Sequence, residues 1–260
     1  MKRRTLGGLA ISALLIAAPL STASAADMAL KAPPAPAWSW TGFYIGADGG
    51  GGWFNNSWYA PNTPINAGGC GVFANCNYSV GGNASSSWLF GGLVGYNYQI
   101  NRWVLGVEAQ GDWTKLQASN PQTQFPTIID NSKTDSLATV AARLGVTWDR
   151  TLLYGKGGAA WARDTFWTTN SGCLPTICQT VTTTRSGWMV GAGVEQALTP
   201  NWSVKLEYDH LDFGNPIETL QPVAAGAGPF QYNVRQTVDV VEAGVNYRFN
   251  WGGGPVATKY

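Results

Sequence analysis

Residues 241–249 read Val-Glu-Ala-Gly-Val-Asn-Tyr-Arg-Phe, and their apolar and polar side chains alternate. Successive side chains of an extended strand point to opposite faces. One face would carry Val241, Ala243, Val245, Tyr247 and Phe249, and the other Glu242, Gly244, Asn246 and Arg248. This period of two predicts a β-strand with one apolar and one polar face.

The same alternation recurs in about eight segments, which we predict as antiparallel strands. Their spans are 40–54, 86–99, 102–116, 136–148, 151–167, 185–197, 202–213 and 236–249. Tight turns are predicted at 99–102, 148–151 and 198–201, and long polar loops at 55–85, 117–135, 168–184 and 214–235. Short turns at one end and long loops at the other are typical of outer-membrane β-barrels, for which eight strands is the smallest size.

The composition excludes several classes of protein. Charged residues make up 12% of the 260 residues, about half the usual share in soluble domains. A disordered chain would carry more charge and fewer aromatic residues than the 13 Trp found here. The net charge of +1, without a basic cluster beyond residue 4, argues against a nucleic-acid partner.

A soluble β-sandwich would show the same alternation with its apolar face buried, so two architectures compete. Ionisable residues in the middle of the polar faces favour a membrane barrel, as do the glycines within the strands, which suit a narrow, strongly curved barrel. Aromatic residues near the strand ends predict two girdles at the headgroup level. These residues are Trp40, Phe43, Trp88, Tyr98, Trp103, Trp113, Trp148, Trp161, Trp188, Trp202, Tyr247 and Phe249. We therefore predict an all-β fold, an eight-stranded antiparallel up-and-down transmembrane β-barrel at 40–249, because only closure satisfies strand backbones in lipid.

The N-terminus has the pattern of a secretory signal peptide at 1–25. Three basic residues precede an apolar stretch, and small residues at 23–25 form a cleavage site. An uncleaved membrane anchor is the alternative, which the shortness of the apolar stretch disfavours. A Pro/Ala-rich linker is predicted at 26–39 and a C-terminal tail at 250–260.

Four cysteines, Cys70, Cys76, Cys173 and Cys178, lie in two of the predicted long loops. An even number of cysteines in an exported chain indicates disulfides, and local pairing within each loop is the simplest of three possible connectivities. Neither pair has the spacing of a zinc site, and His210 is the only histidine. We therefore predict neither a metal site nor a cofactor.

The polar faces carry charges that an eight-stranded barrel would point into its narrow interior. These candidate site residues are Glu108, Arg143, Lys156, Glu195, Lys205, Glu207, Glu242 and Arg248. Because an unpaired buried charge is costly, four acids and four bases should pair and fill the lumen. A narrow ion path is the alternative, so the sequence leaves open whether the barrel conducts ions or small solutes.

Several motifs, in their order and spacing, resemble those of a known family. Trp40-Thr41-Gly42-Phe43-Tyr44-Ile45-Gly46 is similar to its opening strand, and stretches at 95–99, 105–108, 142–145, 187–195, 205–208 and 244–249 are similar to later ones. The family is that of the small outer-membrane β-barrel proteins of alphaproteobacteria, the immunogenic and opacity-type porin-like surface proteins. The resemblance implies a structural, porin-like or surface-antigenic protein of the Gram-negative outer membrane, with no agreed chemical activity. Such barrels commonly end on an aromatic residue that the insertion machinery reads, so Phe249, or Tyr260 at the end of the chain, is the expected signal.

Two further classes of function compete with a structural barrel. An outer-membrane enzyme would need a nucleophile and a base, and His210 with Asp212 and a loop serine is the only conceivable set, without a nucleophile motif to support it. Polar loops on a rigid scaffold would suit recognition of a surface ligand, which the sequence does not identify. The expected partners are outer-membrane lipid, lipopolysaccharide and the barrel-insertion machinery.

Overall fold

The computed structural model describes residues 38–67, 77–170, 177–223 and 228–249. The predicted signal peptide, the C-terminal tail and residues 26–37 of the predicted linker lie outside these ranges. The strands are β1 (Gly42–Ala60), β2 (Tyr78–Ile100), β3 (Trp103–Pro121), β4 (Ile128–Trp148), β5 (Thr151–Asn170), β6 (Ile177–Ala197), β7 (Trp202–Asp212), β8 (Ile217–Pro222) and β9 (Phe230–Arg248). One short helix, α1 (Pro64–Ala67), follows β1. No helix in the described ranges is long and apolar enough to cross a membrane.

The sheet closes on itself, because β1 pairs antiparallel with both β2 and β9. β7 and the short β8 both pair with β6 on one side and with β9 on the other, so together they occupy one strand position of the barrel. The break between them contains Gly214, whose positive φ of 68° suits glycine. Nine strands thus fill eight positions, which confirms the predicted eight-stranded up-and-down barrel.

Apolar side chains point outward along the half of the barrel nearest the tight turns. On β3, Val107 is 59% exposed whereas its neighbour Glu108 is 3% exposed. On β2, where the alternation alone is ambiguous, Leu93 points inward and Val94 outward. This is the arrangement of a barrel surrounded by lipid and filled with polar groups, and it is the reverse of a soluble sandwich.

Two girdles of exposed aromatic residues bound this apolar surface. Their members are spaced ten residues apart on several strands, as in the pairs Phe43 and Trp53, Tyr98 and Trp88, and Trp103 and Trp113. Ten residues rising about 3.3 Å each along strands tilted by about 40° span roughly 25 Å. That height matches the apolar band of outer-membrane barrels.

The prediction that Trp40 belongs to an aromatic girdle is wrong. Its side chain is 1% exposed and lies inside the barrel mouth near the tight turns, where its indole Nε1 donates a hydrogen bond to Thr147 Oγ1 at 2.9 Å. Trp38 packs against it, edge to face, at 5.6 Å between ring centroids. The segment before β1 therefore closes this end of the barrel instead of facing lipid.

The strands run well beyond the girdle that contains Trp53, Trp88 and Trp113, the one farther from the tight turns. The predicted long loops are therefore wrong in part. β1 continues to Ala60 and β2 begins at Tyr78, so much of 55–85 is strand. The same holds for parts of 117–135, 168–184 and 214–235. In this part the polarity is reversed: polar residues such as Ser57 point outward, and an apolar cluster fills the inside. We call this part the extension, and its inner cluster contains Trp58, Ala60, Val80, Phe166, Leu220, Tyr232 and Val234.

The predicted tight turns are present between β2 and β3, between β4 and β5, and between β6 and β7. Asn101 and Asp149 occupy the first two with positive φ values of 54° and 51°, a conformation that Asn and Asp tolerate better than most residues.

At the other end of the barrel, Cys178 is buried near the start of β6 and is not a free thiol. Cys70, Cys76 and Cys173 lie outside the described residues, so the pairing stays a prediction.

Candidate functional site in the barrel lumen

All eight predicted charged residues point into the lumen and are buried. Arg143 on β4 lies at the centre of the first group. Its guanidinium donates to Glu108 Oε2 at 3.1 Å, to Glu195 Oε2 at 3.0 Å and to the Tyr44 hydroxyl at 2.7 Å. It also lies over the ring of Tyr154 at 3.8 Å. One cation thus joins carboxylates from β3 and β6.

Two lysines extend this network toward β7 and β1. Lys156 Nζ lies 3.3 Å from Glu108, 2.5 Å from Glu207 and 2.9 Å from Asp209. Lys205 Nζ lies 3.3 Å from both Glu207 and Asp48. Six of the eight predicted residues therefore form one continuous ionic network across the lumen.

Interior glycines make room for the tyrosines that complete this network. A Cβ on Gly95 would lie 2.4 Å from the Tyr44 ring, and one on Gly193 would lie 2.6 Å from the Tyr154 hydroxyl. That hydroxyl donates to Glu207 at 2.6 Å, and the Tyr44 hydroxyl donates to Glu108 at 2.9 Å. The glycines expected to permit curvature thus also position two hydrogen-bond donors.

Glu242 and Arg248 are inside the barrel but have other partners than the predicted opposite charges. Among the described residues, Glu242 lies within 4 Å of no basic group and instead accepts a hydrogen bond from Gln110 at 2.7 Å. Arg248 lies at the barrel mouth, over the Trp38 ring at 3.9 Å, and donates to the backbone oxygen of Pro200. It contributes to the closure of the mouth and not to the ionic network.

The expected balance of four acids and four bases does not hold. Asp48, Asp112 and Asp209 also point inward and are buried, which leaves the ionic layer with more acids than bases. Carboxylate oxygens of Asp48, Asp112 and Glu242 lie within 4.8 Å of one another, as do those of Glu207, Asp209 and Glu242. Carboxylate oxygens are ligands that Ca²⁺ and Mg²⁺ prefer, so these are the described residues that could hold a cation.

Apolar and polar layers alternate along the lumen above the ionic layer. An apolar layer comes next, with Phe54, Leu89, Leu116, Leu137, Met189, Leu211, Phe213 and Val238 among its members. A polar layer follows, in which Arg185 donates to Gln236 Oε1 at 2.9 Å and Thr134 donates to Asp164 at 2.5 Å. The apolar cluster of the extension lies above that layer. The filling by ion pairs alone that the sequence predicts therefore holds only for the ionic layer, because two apolar layers lie above it.

His210 lies on the outer surface of the barrel, not in the lumen. Its Nδ1 is 2.7 Å from Asp239 Oδ1, which also accepts a hydrogen bond from the Tyr208 hydroxyl at 2.7 Å. The predicted partner Asp212 instead accepts from the backbone of Gly214 and lies 3.7 Å from Arg235. Within the described residues, no serine side chain is hydrogen bonded to His210.

Comparison with known proteins agrees with this architecture. A family model described as the outer membrane protein beta-barrel domain matches residues 14–249. The 31 kDa outer-membrane immunogenic protein of Brucella melitensis is 31% identical over 88% of this chain and 94% of its own length. The 25 kDa outer-membrane immunogenic protein of Brucella abortus is 26% identical over 95% of this chain and 100% of its own length.

Solved structures with a similar fold include the outer membrane protease OmpT of Escherichia coli and OprG of Pseudomonas aeruginosa. OmpT matches with a TM-score of 0.50 and 9% identity, over 83% of this chain and 99% of its own. OprG matches with a TM-score of 0.45 and 11% identity, over 82% of this chain and 99% of its own. At such low identity the likeness to OmpT concerns the fold alone.

Proposed function

This chain belongs to the outer membrane protein β-barrel family and is an outer-membrane surface protein, and we propose that it is a closed barrel that supports the envelope without conducting ions. The barrel holds its extension and the loops of that end above the outer leaflet. The observation that carries this proposal is the filling of the lumen by successive layers. Each layer would have to open before an ion could pass.

The ionic and apolar layers oppose conduction for different reasons. Arg143, Lys156 and Lys205 are each held by carboxylates, so a passing ion would have to break buried pairs. The apolar layer above them offers an ion no hydration. There Phe54 and Leu89 are at most 2% exposed and belong to one buried cluster with Met189 on β6 and Leu211 on β7, so apolar side chains from opposite sides of the barrel fill the lumen. Trp40 closes the barrel mouth below.

Planar-bilayer recording tests this proposal directly. The purified, refolded protein is first checked for a barrel by its different migration on a gel before and after boiling. It should then insert without producing current steps, whereas a known general porin prepared in the same detergent should produce them. Reproducible steps on the nanosiemens scale from the folded form, absent from the boiled form, would refute the closed barrel.

A second candidate function is recognition of a ligand at the cell surface. The extension favours it, because a rigid barrel with polar residues outside and an apolar core inside can present loops at a fixed height. The Trp58 ring packs on Phe166 and Tyr232 at 5.5 and 5.3 Å, which holds three strands of the extension together. Cells that express the protein should bind host or matrix extracts better than cells with a barrel lacking 61–77, and equal binding would count against this role.

We also propose that the protein is not an enzyme. His210 has an acidic partner in Asp239, but the hydroxyl that is hydrogen bonded to this pair belongs to Tyr208, which donates to the same carboxylate. This arrangement leaves the described part of the site without a nucleophile that the imidazole could activate. Hydrolysis of peptide or ester substrates by the wild type that is lost in His210→Ala would overturn this view.

A further inference from the structure

Exposed basic residues lie on one side of the barrel, just above the aromatic girdle near the extension. Lys115 on β3 and Arg163 on β5 each follow a girdle tryptophan, Trp113 or Trp161, by two residues and point outward. Lys133 on β4, the strand between them, also points outward. Two residues of a tilted strand correspond to roughly 5 Å of height, so Lys115 and Arg163 lie at the level expected for lipid headgroups.

The strand register brings these three side chains together. Arg163 pairs across β4 and β5 with Ser136, and Lys133 pairs with Thr165 on β5 and with Gln117 on β3. Lys115 lies in the bulge of β3 that faces the same part of β4. Because β3 and β5 are separated by two strand spacings, about 10 Å, their long side chains can converge on one ligand.

This patch is more positive than the rest of the barrel at the same height. Lys133 has a carboxylate partner, Asp135, at 2.5 Å, but Lys115 and Arg163 have none within 4 Å among the described residues. On the opposite side, Arg235 lies 3.7 Å from Asp212, and Asp239 adds a further negative charge. The outward residues of β1, β2 and β6 above the girdle are uncharged, including Asn55, Ser86 and Thr184.

We propose that the patch formed by Lys115 and Arg163, which flank the Lys133–Asp135 ion pair on β4, binds the phosphate groups of an anionic glycolipid in the outer leaflet. A phosphate at the headgroup level is the counterpart that exposed cations beside an aromatic girdle would meet. The Arg163 guanidinium can bind it through two parallel hydrogen bonds, and Lys115 can add a point charge. The acyl chains would then lie against the apolar surface below the girdle. This inference depends on the membrane placement and not on the closed lumen, so bilayer conductance and lipid binding can fail separately.

The test measures binding of bisphosphorylated lipid A to the folded barrel in detergent micelles, by native mass spectrometry. The double variant Lys115→Gln/Arg163→Gln should bind roughly 30-fold more weakly than the wild type. This corresponds to about 1 kcal/mol for each basic residue near an anionic surface, at about 1.4 kcal/mol per tenfold. The matched control Arg102→Gln/Arg150→Gln removes the same charge from exposed positions in the tight turns and should bind like the wild type.

Two further arms identify the chemistry that the patch recognises. Dephosphorylated lipid A should bind the wild type as weakly as bisphosphorylated lipid A binds the double variant. Inositol hexakisphosphate, a soluble polyphosphate, should compete poorly because it lacks acyl chains. Equal binding by both double variants, equal binding of the dephosphorylated lipid, or competition by the soluble polyphosphate at the concentration of the lipid itself would each overturn the proposal.

Discussion

Replacing Arg143 by methionine removes the cation that joins two sides of the lumen. Methionine has an unbranched side chain of similar length, so the variant tests charge more than volume. Glu108 would keep Lys156 at 3.3 Å, but Glu195 would lose the only basic group within 4 Å of it among the described residues. The hydrogen bonds from Ser203 and Asn246 to Glu195 would remain.

The expected cost is the penalty of leaving a buried carboxylate without its ion pair. Removing one partner of a buried pair destabilises a protein by about 3–5 kcal/mol. At an m value of about 2 kcal/mol per molar urea, a loss of about 4 kcal/mol lowers the unfolding midpoint by roughly 2 M. The double variant Arg143→Met/Glu195→Gln should recover much of this loss, because the unpaired charge is removed as well.

Urea unfolding of the barrel in lipid vesicles, followed by tryptophan fluorescence and by gel migration without boiling, measures these shifts. Arg150→Met, in an exposed turn, is the control and should change the midpoint by less than about 0.5 M, since surface substitutions cost about 0.5 kcal/mol or less. If Arg143→Met also unfolded within 0.5 M of the wild type, or if the added Glu195→Gln made it less stable, the ionic layer would not be the stabilising network described above.

Three further predictions concern the apolar surface and the extension. Val107→Arg, near the middle of the apolar band, should lower the free energy of unfolding by about 2–4 kcal/mol in the same urea assay. Ser57→Arg, above the girdle, should change it little. Phe166→Ala, in the core of the extension, should lower the free energy of unfolding of the extension by about 3–5 kcal/mol. Limited proteolysis should then cut the extension faster, while the membrane part keeps its gel migration. Burial raises the pKa of Asp130, in the extension, to about 7 from its ordinary value of 3.8. The folded extension therefore prefers the protonated acid, so its protease resistance should fall as pH rises from about 4 to 7 and stay constant at higher pH. Asp130→Asn should remove this dependence. An unchanged pH profile in this variant would contradict the assignment of the dependence to Asp130.

The part of the barrel inside the membrane could be predicted from the sequence because one rule governs it throughout. A period of two assigns each side chain to one face, and lipid outside fixes which face is apolar. The orientations of Glu108, Arg143 and Glu195 follow from that rule alone. The alternation could not decide between Leu93 and Val94, where two apolar residues are adjacent, and the structure assigns one to each face.

The extension could not be predicted in the same way, because the solvent outside the barrel changes from lipid to water along a single strand. On β1 the outward positions change from apolar to polar after Trp53, while the inward ones change from Tyr44 and Asp48 to Phe54 and Trp58. Neither face then keeps one character over the strand, and the segment resembles a polar loop. The reversal itself is the signal that could have identified the extension.

The sequence around the acids explains why their excess in the lumen could not be predicted. Asp48 is surrounded by small residues, Ala47 and Gly49 to Gly52, which carry no alternation that would assign it to a face. The alternation of residues 202–209 puts Asp209 on the same polar face as Lys205 and Glu207, but its contact with Lys156 depends on the pairing of strands distant in sequence. Alternation assigns residues to the inside, whereas register and barrel size decide which of them meet.

A nitroxide scan over residues 43–59 measures whether the polarity of the two faces of β1 reverses along the strand. Single spin labels are placed at successive positions of the folded protein in lipid vesicles, and their collision rates with oxygen, which partitions into lipid, and with a water-soluble nickel complex are recorded. Odd-numbered positions should collide with oxygen up to Trp53 and with nickel from Asn55 onward, while even-numbered positions should be shielded from both reagents throughout. Nickel access at even-numbered positions along the whole strand would reveal a water-filled lumen, and oxygen access at those positions would place the lipid on the wrong face; either result would contradict the account.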